Sequence, residues 1–287
     1  MPPPLARPAA TGRFEVAVLF EDTWLLALDK PSGLLAHADS GVASALQWAR
    51  DRESTCGRDP ASLHLVHRLD RETSGVLLFA RTAEVAEACN LAFRERKVLK
   101  MYLALCAPVP SLRWLTVSQH LRPVRVGAGE KMTVVTEGGV EASSEIEVLA
   151  RGRRFGLVRV IPDQGRKHQV RVALAANGAP IAGDFLYGGS LSKNLAPRLM
   201  LHARTLELRH PQSGEHLVIR AAVPKDFKQL LSDDGGSLPT DIDARHRVVA
   251  NKYATPGAVT AGKAQAGAEA LPRMRTERRK RPAGPGR

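Results

Sequence analysis

At 287 residues and 44% hydrophobic, the chain can bury a full core and is long enough for one large domain or two modest ones. No apolar run approaches the roughly 20 residues of a membrane helix, and the start, MPPPLARPAATGR, has no apolar segment of the secretory kind, so a soluble cytoplasmic protein with no membrane partner is expected. Of the formal charge of +13, the segment from Ala244 to Arg287 supplies +9 through eleven Lys/Arg against two Asp/Glu, and the other 243 residues carry only +4, too little to single out a nucleic-acid binder by charge.

Cys56, Cys89 and Cys106 are odd in number and lack CxxC or Cys/His ligand spacing. That pattern predicts neither a disulfide framework nor a zinc site, but reduced, buried thiols.

Residues 1–12 are expected to be a flexible end. VAVLFED and WLLALDKPSG follow, two short strands about a polar turn at Glu21-Asp22-Thr23, with Pro31-Ser32-Gly33 turning the chain again. Thr82 opens a helix, TAEVAEACNLAFRERK, whose Val85, Ala88/Cys89 and Ala92/Phe93 recur at helical spacing. In VLKMYLALCAP, strand alternation puts Lys100, Tyr102 and Ala104 on one face and Met101, Leu103 and Leu105 on the other. ASSEIEVLA and FGLVRVIP flank Arg151-Gly152-Arg153, and LHARTLELRH and HLVIRAAVP flank PQSGE, so both pairs read as antiparallel hairpins. A short helix in HQVRVALAANG, closed by Asn177-Gly178, lies between them. Hairpins with interspersed helices predict an α+β domain on a mostly antiparallel, mixed sheet, spanning residues 13–232. From about Asp233 the chain is rich in Gly, Ala, Pro and Arg and is expected to be a disordered basic tail, either a solvated end or a non-specific nucleic-acid arm.

Four segments carry more functional groups than their positions require, and the alternation of one of them, LHARTLELRHP, is explained as a sheet strand. HRLDRETSG sets Asp70 between Arg68 and Arg71 and ahead of Thr73-Ser74-Gly75. Positive neighbours favour a carboxylate anion, suited to a nucleophile or base, although an Asp here can equally cap the turn. Tyr102 can stack on a flat ligand or simply pack. In IPDQGRKHQVRV, Arg166, Lys167 and His168 cluster near a helix N-terminus, where phosphate is favoured, with Arg171 about a turn further on. His168 has no second ligand at metal spacing and reads as a hydrogen-bonded structural histidine. Gly183-Asp184 and Tyr187-Gly188-Gly189 read as turns, with Tyr187 packing.

Taken in order, HRLDRETSG, the Lys100-to-Tyr102 pair, GRKHQVRV and PIAGDFLYGG resemble the pseudouridine synthases of the RluA type, over roughly residues 14 to 228. The resemblance implies the pseudouridine synthase fold with a central RNA-binding cleft, and isomerisation of uridine in rRNA or tRNA by a monomeric enzyme needing no cofactor or metal. It implies Asp70 as the catalytic aspartate, Arg171 as the basic residue paired with it, and Tyr102 as the aromatic stacking on the target uracil. Arg68 would enter the RNA helix in place of the displaced nucleotide, and Arg71, Lys100, Arg166, Lys167 and His168 would contact RNA. Two positions depart from the family's GRTHQIRVH pattern, Lys167 for Thr and Ala173 for His. No N-terminal basic module of the S4 type is recognisable, so binding is expected to rest on the catalytic domain and the tail. Two other readings use the same residues: a catalytically idle RNA-binding or RNA-folding module, and an N-glycosidic hydrolase, which would need a second carboxylate to position water.

Overall fold

A computed structural model describes residues 14–243 except Ser40, Gly41, Ala128, Ser190, Leu191 and Lys193. The expected flexible start and the tail from residue 244 onward lie outside the described residues.

Two central strands carry the site, and both are almost wholly buried. β4 (Ser74–Ala80) has all seven residues buried, and β5 (Leu99–Cys106) alternates before becoming fully buried. Runs such as Val76-Leu77-Leu78-Phe79 are buried on both faces, each side chain contributing about 1.5–3 kcal/mol of apolar transfer. Around them the eleven-stranded sheet runs β1 (Ala17–Glu21), β2 (Leu25–Lys30), β4, β10 (Leu201–Arg209), β5, β9 (Gly156–Pro162), β8 (Val140–Arg151), β6 (Trp114–Val126), β7 (Gly129–Val135). The short β3 (His64–Leu65) pairs with β4, and β11 (His216–Arg220) with β10.

Among the strands of the described residues every pairing is antiparallel but one. β4 and β10 run parallel, with His202 opposite Ser74 and Ala203 opposite Gly75. Gly75 adopts φ +112°, and a Cβ there would drive into the Ala203 backbone, so only glycine permits this approach. The mixed sheet expected from sequence, including both hairpins, is therefore present.

Four helices of the described residues flank it: α1 (Ala45–Thr55), α2 (Ala83–Arg94), α3 (Gln169–Ala176) and α4 (Lys225–Asp233). α2 starts where the sequence places it, because the Thr82 hydroxyl accepts the Val85 N–H, and it buries Val85, Ala86 and Cys89. Cys89 and Cys106 are buried as expected, but Cys56, just past the end of α1, is exposed.

The domain also extends beyond residue 232. Asp234 is buried and seals the β8–β9 turn, accepting the N–H groups of Arg154 and Phe155 at 2.6 and 2.7 Å. Ile242 packs into the core and Asp243 pairs with Arg204 at 2.7 Å. Residues 233–243, assigned to a disordered tail on composition, thus belong to the body, because two carboxylates and one aliphatic side chain anchor an otherwise polar stretch.

Candidate active site

The loop between β3 and β4 delivers Asp70, and its shape is fixed from below. The Asp70 carbonyl accepts the Thr73 N–H at 3.1 Å, closing the turn that HRLDRETSG suggests. The ring of His67, which accepts the Leu78 N–H at 3.0 Å, ties the loop to β4, and burial lowers its pKa to about 3. Lys30 has no exposed surface, and its ammonium donates to the carbonyls of Pro31, Leu34 and Arg71 at 3.0, 2.7 and 2.9 Å. All three protons are thereby spent on two loops that it joins. Burial drops its pKa to about 7.

Opposite Asp70 stands Arg171, on the first turn of α3. Its Nε and Nη2 form a two-pronged bond to Asp184 at 2.9 and 2.8 Å, which leaves Nη1 to meet Asp70 Oδ2 at 3.4 Å. Burial opposes the charge on this guanidinium, but the Asp184 hydrogen bonds and charge outweigh it and raise the pKa. Asp184 is itself buried and also accepts the N–H groups of Leu186 and Tyr187.

His168 completes this wall in a left-handed conformation, φ +56°, which is uncommon outside glycine. Tyr187 Oη accepts the Met132 N–H at 2.8 Å, so its own proton is free to reach His168 Nδ1, also at 2.8 Å. Burial lowers the His168 pKa, with Asp70 opposing and Arg171 and Lys167 assisting, so the ring is neutral at pH 7. A neutral ring accepting at Nδ1 carries its proton on Nε2, which lies 3.8 Å from Asp70 Oδ2.

Across the gap β5 contributes Lys100 and Tyr102, on one face as alternation predicts, both half-buried. Lys100 donates to the Gln164 carbonyl at 2.9 Å, and burial lowers its pKa to about 8. Burial, reinforced by Asp70, raises the Tyr102 phenol above its usual range, so it presents a neutral ring. These walls enclose a cleft of about 340 Å³, lined by Arg68, Asp70, Lys100, Tyr102, Arg166, His168 and Arg171, with Phe93, Gln164 and Leu201 among its other walls. That volume suits one flat heterocycle with part of its sugar.

Seven of the nine residues singled out in the sequence therefore meet at one cleft, and two do not. Arg71 points away, donating to the Gly33 carbonyl at 3.0 Å, and Lys167 pairs with Glu130 of β7 at 2.8 Å. Of the charges expected beside Asp70, the two sequence neighbours do not pair with it; Arg171, the partner that the resemblance implied, does, about a hundred residues later, with the His168 ring nearby. Arg68 is exposed at the mouth. Arg166 donates to the Glu141 carbonyl at 3.2 Å. Ala173, on α3, is buried in the core.

Sequence reasoning missed Lys30, Asp184 and the role of Tyr187. The signals were present in DKPSG and GDFLYGG, but each reads locally as a turn. Among the described residues no cluster of three or more His, Cys, Asp or Glu side chains is arranged to hold a metal ion, and no helix is long and apolar enough to cross a membrane.

A family model described as RNA pseudouridylate synthase matches residues 24–176. The ribosomal large subunit pseudouridine synthase C of Pasteurella multocida is 35% identical over 224 residues, covering 76% of this chain and 68% of that protein. Its namesake from Salmonella typhi is 34% identical over 222 residues, covering 75% and 68%. The solved structure of human RNA Pseudouridylate Synthase Domain Containing 4 superposes with a TM-score of 0.65 at 27% identity, over 77% of this chain and 94% of that one. Human RNA Pseudouridylate Synthase Domain Containing 1, at 24% identity, shares the fold with a TM-score of 0.67 over 84% and 96%. The matched span runs through Asp70, Tyr102 and Arg171, and the chain belongs to the RNA pseudouridylate synthase family, enzymes that isomerise uridine in RNA to pseudouridine.

Proposed function

We propose that this enzyme acts on ribosomal RNA, using Asp70 as the catalytic carboxylate, Arg171 as its charge partner and Tyr102 as the platform for the target uracil. The observation that carries the reading is the chain Asp184–Arg171–Asp70, in which the buried acid occupies two guanidinium nitrogens and offers the third to Asp70.

The chemistry needs each of these parts. Isomerisation breaks the N1–C1′ bond, turns the uracil and joins C5 to C1′; the C5 proton leaves to solvent and N1 gains one. No electrons are transferred to or from another molecule, so the reaction requires no redox cofactor. C1′ becomes electron-poor as its bond to N1 breaks, and a fixed carboxylate can attack it or take the neighbouring C2′ proton. Arg171 holds that carboxylate in place. The freed uracil must stay bound while it turns, and the neutral Tyr102 ring offers a flat apolar surface along which it can rotate.

Extrusion of the uridine costs a few kcal/mol in stacking and pairing. Arg68 at the mouth is placed to fill the vacated position or meet the adjoining phosphates, while Lys100 and Arg166 bring positive charge to the walls. The ribosomal assignment draws on the relatives, which are named for the large ribosomal subunit. It carries with it a cytoplasmic monomer working without cofactor.

Pseudouridine mapping in ribosomal and transfer RNA, from cells with and without the protein, tests the target. Loss of one or more ribosomal sites is expected; loss confined to transfer RNA would redirect the assignment, and an unchanged map of both would overturn it.

A further inference from the structure

One aromatic side chain, next in the chain to Asp184, stays outside the core. Phe185 is 70% exposed, the most exposed of the large apolar side chains among the described residues. Burying a phenylalanine gains roughly 1.5–3 kcal/mol, and here that gain is forgone one residue after the carboxylate that clamps Arg171 of the cleft.

The turn displaying Phe185 is rigid. Its preceding residue, Asp184, is clamped to Arg171 and accepts the N–H groups of Leu186 and Tyr187 at 2.9 and 3.0 Å. The Gly188 N–H returns to the Asp184 carbonyl at 3.0 Å. Gly183, at φ +76°, packs so tightly on the Arg198 carbonyl that no side chain fits there. Tyr187, two residues on, is fixed through His168 and Met132. None of these constraints asks for an aromatic at position 185, and each of them fixes the backbone from which the ring projects.

Its surroundings select the occupant. The cleft wall that Asp184 braces carries the guanidinium groups of Arg166 and Arg171, and the family's substrate is RNA, so a partner that is both polyanionic and rich in flat apolar faces fits better than an apolar protein surface. We propose that Phe185 is a stacking platform for a base of the substrate RNA next to the target uridine. This rests on the reading of the chain as an RNA uridine isomerase. Extrusion of the target leaves its neighbours without a stacking partner, and a preset ring replaces that partner without ordering cost.

The test compares Phe185→Ala, Phe185→Leu and Phe185→Trp with the wild type. Two readouts are used: affinity for a uridine-rich single strand of roughly ten nucleotides carrying a fluorescent base analogue, and KM against kcat for isomerisation of an unmodified ribosomal RNA transcript. Alanine and leucine are expected to weaken binding and raise KM by roughly 5- to 100-fold, whereas tryptophan retains affinity and quenches the analogue. Wild-type affinity in the leucine variant would reduce the contact to apolar packing, and an unchanged alanine variant would remove it; either overturns the proposal. A wild-type protein that self-associates through this face, with dissociation in the alanine variant, would overturn it in favour of a protein interface. Should the wild type bind the strand yet never form pseudouridine, the enzyme reading fails and the stacking result still stands or falls by the binding series.

Discussion

The two ends of β4 carry the same chemistry, arginine against carboxylate, with opposite degrees of completion. Beyond its last residue, Arg81 reaches Glu53 through Nε and Nη2, both at 2.9 Å, and Glu21 at 2.6 Å. Arg52 adds a bond to Glu21 at 2.6 Å, and Arg58 binds Glu53 at 2.7 Å and Glu21 at 2.8 Å. Burial would raise the Glu21 pKa, but Arg52 and Arg81 bring it down to about 2. Ahead of the first residue of β4, Asp70 has one guanidinium at 3.4 Å and keeps 23% of its side chain exposed, against 2% for Glu53. A carboxylate with all its lone pairs occupied only braces the sheet. One left short of partners retains lone pairs for a reacting atom.

Asp70→Asn separates these roles most sharply. The variant should lose isomerisation by on the order of 10⁴-fold or more, measured as tritium release from uracil C5, while the thermal midpoint moves by no more than about 2 °C. Turnover near wild type would refute the catalytic role.

At the other end of the strand the expectation inverts. Glu53→Ala leaves Arg58 and Arg81 facing an emptied, buried position and should destabilise the fold by about 3–5 kcal/mol, read from urea unfolding. The activity per folded molecule should be unchanged. A loss of kcat at full folding would mean that the closed cluster reaches the site.

Asp184→Asn falls between the two. It keeps the turn's acceptor for Leu186 and Tyr187 but releases the charge that orients Arg171, and a guanidinium misplaced by about 1 Å should cost roughly 10²-fold in kcat. Stability should fall less than for Glu53→Ala, because Asn can still accept one hydrogen bond from the guanidinium.

This contrast also separates what the chain announces from what it conceals. Asp70, Lys100 and Tyr102 were legible because a tight polar turn meets a buried strand and because strand alternation fixes a face. α2 and both hairpins announced themselves through a Thr cap, helical spacing and glycine-bearing turns. Asp184 did not, since its partner Arg171 is joined to it only by the folding of α3 against the following turn, and a Gly-Asp pair is fully accounted for as a turn. As charge partners of Asp70, Arg68 and Arg71 were misread for the converse reason: nearness in sequence stood in for nearness in space. α1 was hidden by burying Arg52 and Glu53, side chains that composition places outside, and the β6–β7 hairpin by its many exposed positions and by Pro123. α4 has a readable stripe, Phe227 with Leu230 and Leu231, but at nine residues it is short and it abuts the stretch read as a disordered tail.

Acid separates the two clusters by a smaller effect. His67 and His202 have folded pKa values of about 3 and 4, lowered chiefly by burial, against an ordinary 6.5. Between those limits the unfolded chain binds the extra protons, so stability rises with pH and is lost as pH falls below about 6.5. Each histidine contributes a slope of up to about 1.4 kcal/mol per pH unit. Glu21, with its folded pKa depressed to about 2, adds its own loss only below about 4.5. Urea unfolding from pH 7.5 to 4 should therefore show a decline that begins in the histidine range, and His202→Gln should flatten its upper part. An onset only below pH 4.5 would assign acid sensitivity to the carboxylates alone.

The smallest expected effect sets the body against the tail. Residues 244–287 hold +9 of the formal +13, yet carry none of the groups that line the cleft. Their one aromatic is Tyr253, so they offer charge without a stacking surface. Charge of this kind acts on phosphates over a Debye length, about 8 Å at physiological salt, and speeds encounter without entering bond rearrangement. Deleting residues 244–287 should weaken RNA binding several-fold at moderate salt and reduce the salt slope by about one unit for each phosphate that the tail neutralises. The single-turnover rate at saturating RNA should stay within about twofold of wild type, since Asp70, Arg171 and Tyr102 remain in a domain that Asp234, Ile242 and Asp243 close without the tail. An unaltered salt slope would make the tail a solvated end, whereas a large fall in the saturated rate would place part of the catalytic assembly beyond residue 243.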